Sequence, residues 1–118
     1  MPQIYFYNFM FFEPRKCCSV IRLVGVQRTT LNQKYKLETD LVSKRPYYVD
    51  EIRNNAVWFD GEDWMIGPRK NIDEGNLSVG AMFDNDKIVD CPSNVTSWYE
   101  SVNHEWEENL TAKLFCDS

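Results

Sequence analysis

His104 is the single histidine among 118 residues, and that bounds the chemistry the chain can do. A Ser-His-Asp constellation needs a serine on a strained turn and a base held by an acid. Ser97 or Ser101 would have to serve, and Ser101 stands too close to His104 in sequence for a spatial triad. No Gly-X-Ser-X-Gly turn and no glycine-rich phosphate loop occurs. Glu107 and Glu108 are neighbours, so on a strand they face opposite sides, whereas glycoside hydrolysis needs two carboxylates that converge. The expectation is a chain with no catalytic residues, not an enzyme.

Metal sites fare little better. Zinc draws on separated ligand pairs, but Cys17 and Cys18 are adjacent and no Cys-X-X-Cys occurs. Calcium prefers hard oxygen donors in loops, which Asp60-Gly61-Glu62-Asp63 and Asp84-Asn85-Asp86 supply. Neither follows the EF-hand spacing, and these residue types favour turns in their own right. No metal and no cofactor is expected.

The aromatic residues carry more promise. Trp58, Trp64, Trp98 and Trp106 are suited to stacking a sugar or another apolar ligand, and equally to building the core of a small domain. Trp58 and Trp64 flank one turn and read as core. Trp98 and Trp106 sit among polar residues, and one of them is expected to be partly exposed. The candidate ligand-binding residues are Trp98 and Tyr99, with Tyr47 or Tyr48 nearby.

The four cysteines are Cys17, Cys18, Cys91 and Cys116. A bond between Cys17 and Cys18 would close a strained eight-membered ring. The two remaining pairings tie residues 17–18 to Cys91 and Cys116, closing loops of roughly 70–100 residues, worth about 4–5 kcal/mol each in the chain-entropy model. Asn76-Leu77-Ser78, Asn94-Val95-Thr96 and Asn109-Leu110-Thr111 fit the N-glycosylation acceptor pattern. Together these features point to a secreted, disulfide-bonded glycoprotein. The alternative is an intracellular β-rich scaffold or adaptor domain with free thiols.

Composition narrows the partners. Eighteen acidic against thirteen basic residues leave a net charge of −5, which argues against a nucleic-acid binder that works by neutralising phosphates. The basic residues are scattered, so no anionic-ligand patch is expected. Hydrophobic residues at 43% and aromatic residues at 14% exclude a disordered chain. No apolar run reaches the ~18 residues of a membrane span.

The elements that must position these residues read as strands. Residues 19–26 are rich in β-branched side chains and end near Gly25. Residues 27–33 form a loop, and Tyr35-Lys36-Leu37-Glu38 alternates as a half-buried strand does. Residues 45–49 begin with Arg45-Pro46, as an edge or first strand residue tolerates. Residues 56–59 and 64–67 flank Asp60-Gly61 as a β-hairpin. A two-residue turn pairs Val57 with Trp64; a four-residue loop pairs Phe59 with Trp64. Pro68 ends the second strand. Residues 71–76 read as turn, 78–83 as strand, 91–94 as turn and 110–116 as the last strand. No element is assigned to the polar stretch around Trp98 and Trp106. Residues 1–16 read as an atypical apolar leader or an edge strand, and 17–118 as one tryptophan-rich β domain. The fold expected is all-β: a small antiparallel sheet or partly closed barrel with a central Asp-Gly hairpin.

Arg45-Pro46-Tyr47-Tyr48, Val57-Trp58-Phe59, Gly61-Glu62-Asp63-Trp64-Met65-Ile66-Gly67, Cys91-Pro92, Trp98, Trp106 and Leu114-Phe115-Cys116 follow one another in a recognisable order. The pattern resembles a small tryptophan-rich, cysteine-bracketed extracellular module of multidomain invertebrate proteins. The resemblance covers roughly residues 18–116 and brings no assigned chemistry. It implies that Cys18 and Cys116 bracket the module. It also implies a binding or structural unit, and the leading expectation is a non-catalytic extracellular interaction module that binds a protein or a glycan.

Overall fold

The computed structural model describes residues 17–86 and 89–117; the leader or edge strand expected over residues 1–16 lies outside them. Nine strands follow in order: β1 (Val20–Val24), β2 (Lys34–Val42), β3 (Arg45–Asp50), β4 (Asn55–Phe59), β5 (Trp64–Pro68), β6 (Met82–Asp84), β7 (Trp98–Val102), β8 (Glu105–Asn109) and β9 (Lys113–Cys116). One helical turn, α1 (Lys70–Asp73), separates β5 from β6. The fold is all-β, as the sequence predicts.

The strands form one antiparallel sheet in the order β8-β7-β6-β5-β4-β3-β2-β1-β9. It is a meander until its last step. β8 pairs with β7, while β9 crosses to pair with β1. In an alternating meander β1 and β7 share a sense, so β8 and β9 share one too. They are the two halves of one bent strand that touches both ends of the sheet. The link from Asn109 to Lys113 spans about 14 Å at full stretch, so the sheet must curl until its ends approach. The result is a half-barrel, which matches the partly closed barrel read from sequence.

A side-chain network holds the ends together. Glu100 on β7 is buried, with 1% of its surface exposed. Its carboxylate accepts from the backbone N–H of Gln27 (3.1 Å) and Arg28 (2.9 Å), just beyond β1. It also accepts from the Asn109 amide at 2.7 Å. Asn109 donates to the Gly25 carbonyl as well (3.2 Å), and its own oxygen accepts from the N–H groups of Thr111 and Ala112. Gly25 sits at φ +77°, and a Cβ there would meet the Thr111 carbonyl oxygen. Glycine is therefore required by conformation and by close approach.

Two disulfides brace the other end of β1. Cys17 bonds Cys91 and Cys18 bonds Cys116, with Cα separations of 5.5 and 5.6 Å. Of the two pairings open to the sequence this is the one adopted, and the bracketing of the domain by Cys18 and Cys116 is shown.

Strand periodicity sorts the side chains to two faces. The inner face gathers Ile21, Leu23, Tyr35, Tyr48, Val57, Phe59, Trp64, Ile66, Met82, Trp98 and Leu114. The outer face carries a smaller cluster of Val42, Val49, Ala56, Trp58 and Met65, with Tyr47, Ile72, Leu77 and Phe83 packed against it. Residues 70–80 lie over this outer cluster. The Trp58 indole donates to the Leu77 carbonyl at 2.8 Å, and Asn71 donates to that of Val79 at 2.8 Å. Trp58 and Trp64 are both fully buried, so the reading of both as core holds.

Several local expectations are corrected. The strand expected over residues 78–83 shortens to β6, because residues 78–80 serve the cover over Trp58. Part of the turn expected at 71–76 is the helical turn α1. Pro68 ends β5 as its last residue, as expected. The hairpin takes its four-residue form, pairing Phe59 with Trp64. Asp60 decides this: its carboxylate accepts from the N–H groups of Glu62 and Asp63, both at 2.8 Å. A side-chain-capped turn thus replaces the tight Asp-Gly turn. β8 went unassigned because four of its five residues are exposed, so it lacks alternation.

Candidate functional site

The adjacent aromatic pairs singled out in the sequence are split by strand alternation. Tyr48 and Trp98 point inward, exposed by 0% and 1%. Both are core residues of the inner cluster. The Tyr48 hydroxyl donates to the Cys18 carbonyl at 2.8 Å, and burial pushes its phenol up to about 12. Their neighbours Tyr47 and Tyr99 are half-buried on the outer face. Tyr47 lies on β3 and Tyr99 on β7, about 19 Å apart at ordinary strand spacing. One small ligand does not bridge them.

The exposed tryptophan is Trp106, at 49%. Register explains its position. Trp106 faces Ser101 across the β7–β8 pair, Ser101 shares a face with Tyr99, and Tyr99 faces Phe83 on β6. The three rings meet on the outer surface. Phe83 packs edge-to-face with Tyr99 at 5.2 Å between centroids and with Trp106 at 4.9 Å. Such pairs contribute about 0.5–1.5 kcal/mol beyond simple burial, which fixes the rings without covering the Trp106 surface. Phe83 was missed by sequence reasoning because nothing there showed which neighbours share its face.

Beside these rings runs a groove of about 270 Å³, lined by Asp60, Glu62, Asp63, Met65, Ser78, Phe83 and Trp106. The β4–β5 loop supplies its acidic wall. Asp60 is held by the turn and by the Ser78 hydroxyl at 2.9 Å. Burial, then the nearby Asp60 and Glu62 carboxylates, raise the Asp63 carboxyl above its ordinary value. Among the described residues no Lys or Arg forms an ion pair with these three acids.

A second hollow of about 430 Å³ lies between β8 and β9, where the last strand bends, with Ser97, Asn109, Leu110 and Phe115 on its walls. Ser97, Glu108 and Asn109 on its walls are engaged within the fold: the Ser97 hydroxyl donates to Glu108 at 3.0 Å, and Asn109 belongs to the closing network.

In the loops weighed for calcium, Asp60 and Asp86 hold their oxygens toward backbone and hydroxyl donors. Asp86 accepts from the Thr96 N–H at 2.6 Å and lies within hydrogen-bond reach of its hydroxyl. Among the described residues no group of three or more His, Cys, Asp or Glu is arranged to hold a metal ion. The glycan acceptors divide. Asn76 and Asn94 are exposed, whereas Asn109 is buried with its amide engaged by Glu100 and Gly25. Asn109 serves the fold as a structural residue.

One buried carboxyl makes the fold sensitive to pH. Asp84 and Trp98 are cross-strand partners on the inner face. The Asp84 carboxylate accepts from the Trp64 N–H at 2.6 Å, but its second oxygen and the Trp98 indole N–H have no partner among the described residues. Burial, aided by Asp63, pushes this carboxyl up to about 6. The folded chain thus holds the Asp84 proton more tightly than the unfolded chain does. This contribution to stability is complete below pH ~4 and is lost as pH rises through about 6. Relative to Asp84→Asn, the native chain is expected to lose about 1–2 kcal/mol between pH 4 and pH 7.5, after allowance for solvent screening. Urea unfolding of both proteins across that range checks this, and parallel pH profiles would refute it.

No helix among the described residues is long and apolar enough to cross a membrane. Comparison with known protein families, with curated proteins and with solved structures finds no match to this chain.

Proposed function

We propose that this chain is a non-catalytic extracellular interaction module that binds a protein or a glycan through its outer aromatic groove. Trp106 carries the reading: a half-exposed indole, fixed by Phe83 beside a groove, in a chain that buries its other three tryptophans. An exposed aromatic side chain held in place offers contact area with little ordering entropy left to lose on binding. The two disulfides are compatible with an oxidising compartment, and Asn76 and Asn94 are exposed where a secreted chain would carry glycans.

The test is a glycan array and a displayed-peptide library probed with the native chain and with Trp106→Ala. Because Trp106 is half-exposed, the substitution is expected to change unfolding free energy by no more than about 1 kcal/mol. Groove ligands are expected to bind the variant about tenfold or more weakly. Ligands that bind both proteins equally would overturn the groove as the site.

A further inference from the structure

The basic residues of the strands are confined to one half of the sheet, which also carries Glu38, Asp40 and Asp50, while Arg69 and Lys70 lie between β5 and β6. Arg22, Lys34, Lys36, Arg45 and Lys113 all lie on β9, β1, β2 and β3, whereas β4 to β8 contain no Lys or Arg. The same β4–β8 half carries Glu105, Glu107 and Glu108 on its edge strand and Asp60, Glu62 and Asp63 in its hairpin loop. The aromatic groove opens within this acidic half.

We propose that the groove is a docking site for a basic peptide segment, with one Arg or Lys head group over the Trp106 indole and facing the carboxylates of Glu62 and Asp63. This rests on the reading of the groove as the binding surface and adds the partner's chemistry. Three observations favour this occupant. The wall carboxylates lack a basic ion-pair partner among the described residues, and an incoming cation supplies one; a neutral sugar does not. An indole face attracts a cation through its quadrupole, most strongly where water is displaced. The volume, about 270 Å³, is ample for a single long side chain. The surrounding acidic surface would also speed encounter with a basic partner and make that rate depend on salt. The raised Asp63 carboxyl agrees with this picture, since a neighbouring cation relieves the repulsion from Asp60 and Glu62.

Three synthetic peptides of equal length test the proposal: a Gly/Ser peptide bearing arginines, the same peptide with neutral citrulline at each arginine, and a glutamate version. A panel of neutral oligosaccharides joins them. Binding is followed by calorimetry and by the indole N–H resonance of Trp106 in the full chain. The arginine peptide is expected to shift that resonance and to bind about tenfold or more tightly than the citrulline peptide. Raising the salt concentration should weaken it. Trp106→Ala, and Glu62→Gln combined with Asp63→Asn, should each weaken binding about tenfold, with thermal midpoints confirming that both variants fold. Equal binding of citrulline or glutamate peptides, or an oligosaccharide that moves Trp106 when the arginine peptide does not, would overturn the basic partner and leave the groove as a binding site. If no probe in the panel moved Trp106, the basic partner would be overturned, and failure of the wider library screen at the groove would remove the underlying reading as well.

Discussion

Replacing Cys18 and Cys116 together by serine is expected to lower the free energy of unfolding by about 3–4 kcal/mol. The bond spans a sequence separation of 98 residues, but the intact Cys17–Cys91 bond already shortens the path between its ends to about 26 residues in the unfolded chain, and it is this shorter loop that the substitution opens. The folded chain loses less, because Ile21 and Cys116 are already paired across β1 and β9. Backbone hydrogen bonds keep those strands adjacent without the covalent link. A domain of this size is stable by only about 5–15 kcal/mol, so the variant stands near the limit of folding at physiological temperature. Urea unfolding in the absence of reductant measures the effect. An unchanged m-value with a lower midpoint would locate the loss in stability alone, whereas a larger m-value would show the expected expansion of the unfolded state. A loss below about 1 kcal/mol would mean that the bond only decorates a closure achieved by other contacts.

The parts of the fold legible in the sequence share one property: their signals are local. Val57-Trp58-Phe59 and Trp64-Met65-Ile66 announce two strands because apolar residues are dense there, and Asp60-Gly61 announces the reversal between them. The adjacent Cys17 and Cys18 exclude their own pairing by ring strain. What was not legible depends on register, which is a relation between distant segments. Trp98 and Tyr99 are equally aromatic, and only the pairing of β7 with β6 sends one to the core and the other to the surface. Trp106 stands among glutamates on a nearly all-polar edge strand, so nothing nearby shows that it lands beside Phe83. Charged edge strands are common because they discourage pairing with other chains; the same charge erases the alternation by which a strand is read. Asn109 shows the reverse relation. Asn109-Leu110-Thr111 matches a glycan acceptor, yet the amide and the neighbouring Thr111 are used to close the half-barrel, a role that depends on Glu100 and Gly25 far away in sequence.

That closure supplies the second large effect. Glu100→Ala is expected to cost about 2–4 kcal/mol, because three donors converge on one carboxylate and each orphaned donor is worth roughly 1–3 kcal/mol, non-additively. Gln27 and Arg28 stand at the surface, so water recovers part of what their N–H groups lose. The Asn109 amide is buried and has less recourse. Glu100→Gln keeps the shape and one acceptor oxygen but turns an N–H donor toward a backbone N–H. It is expected to cost less than the alanine variant, about 1–2 kcal/mol. Amide hydrogen exchange supplies the site-specific reading: protection at Gln27 and Arg28 should fall in both variants, while β3 and β4, in the middle of the sheet order, keep their own. A full loss of stability with unchanged protection at Gln27 would assign Glu100 to packing alone. The physical reason to expect otherwise is topological. Backbone ladders end at β8 and β9, and the bent strand leaves the segment after β1 beside β7 with no ladder between them. A buried carboxylate that accepts from both sides joins the two ends where the sheet cannot.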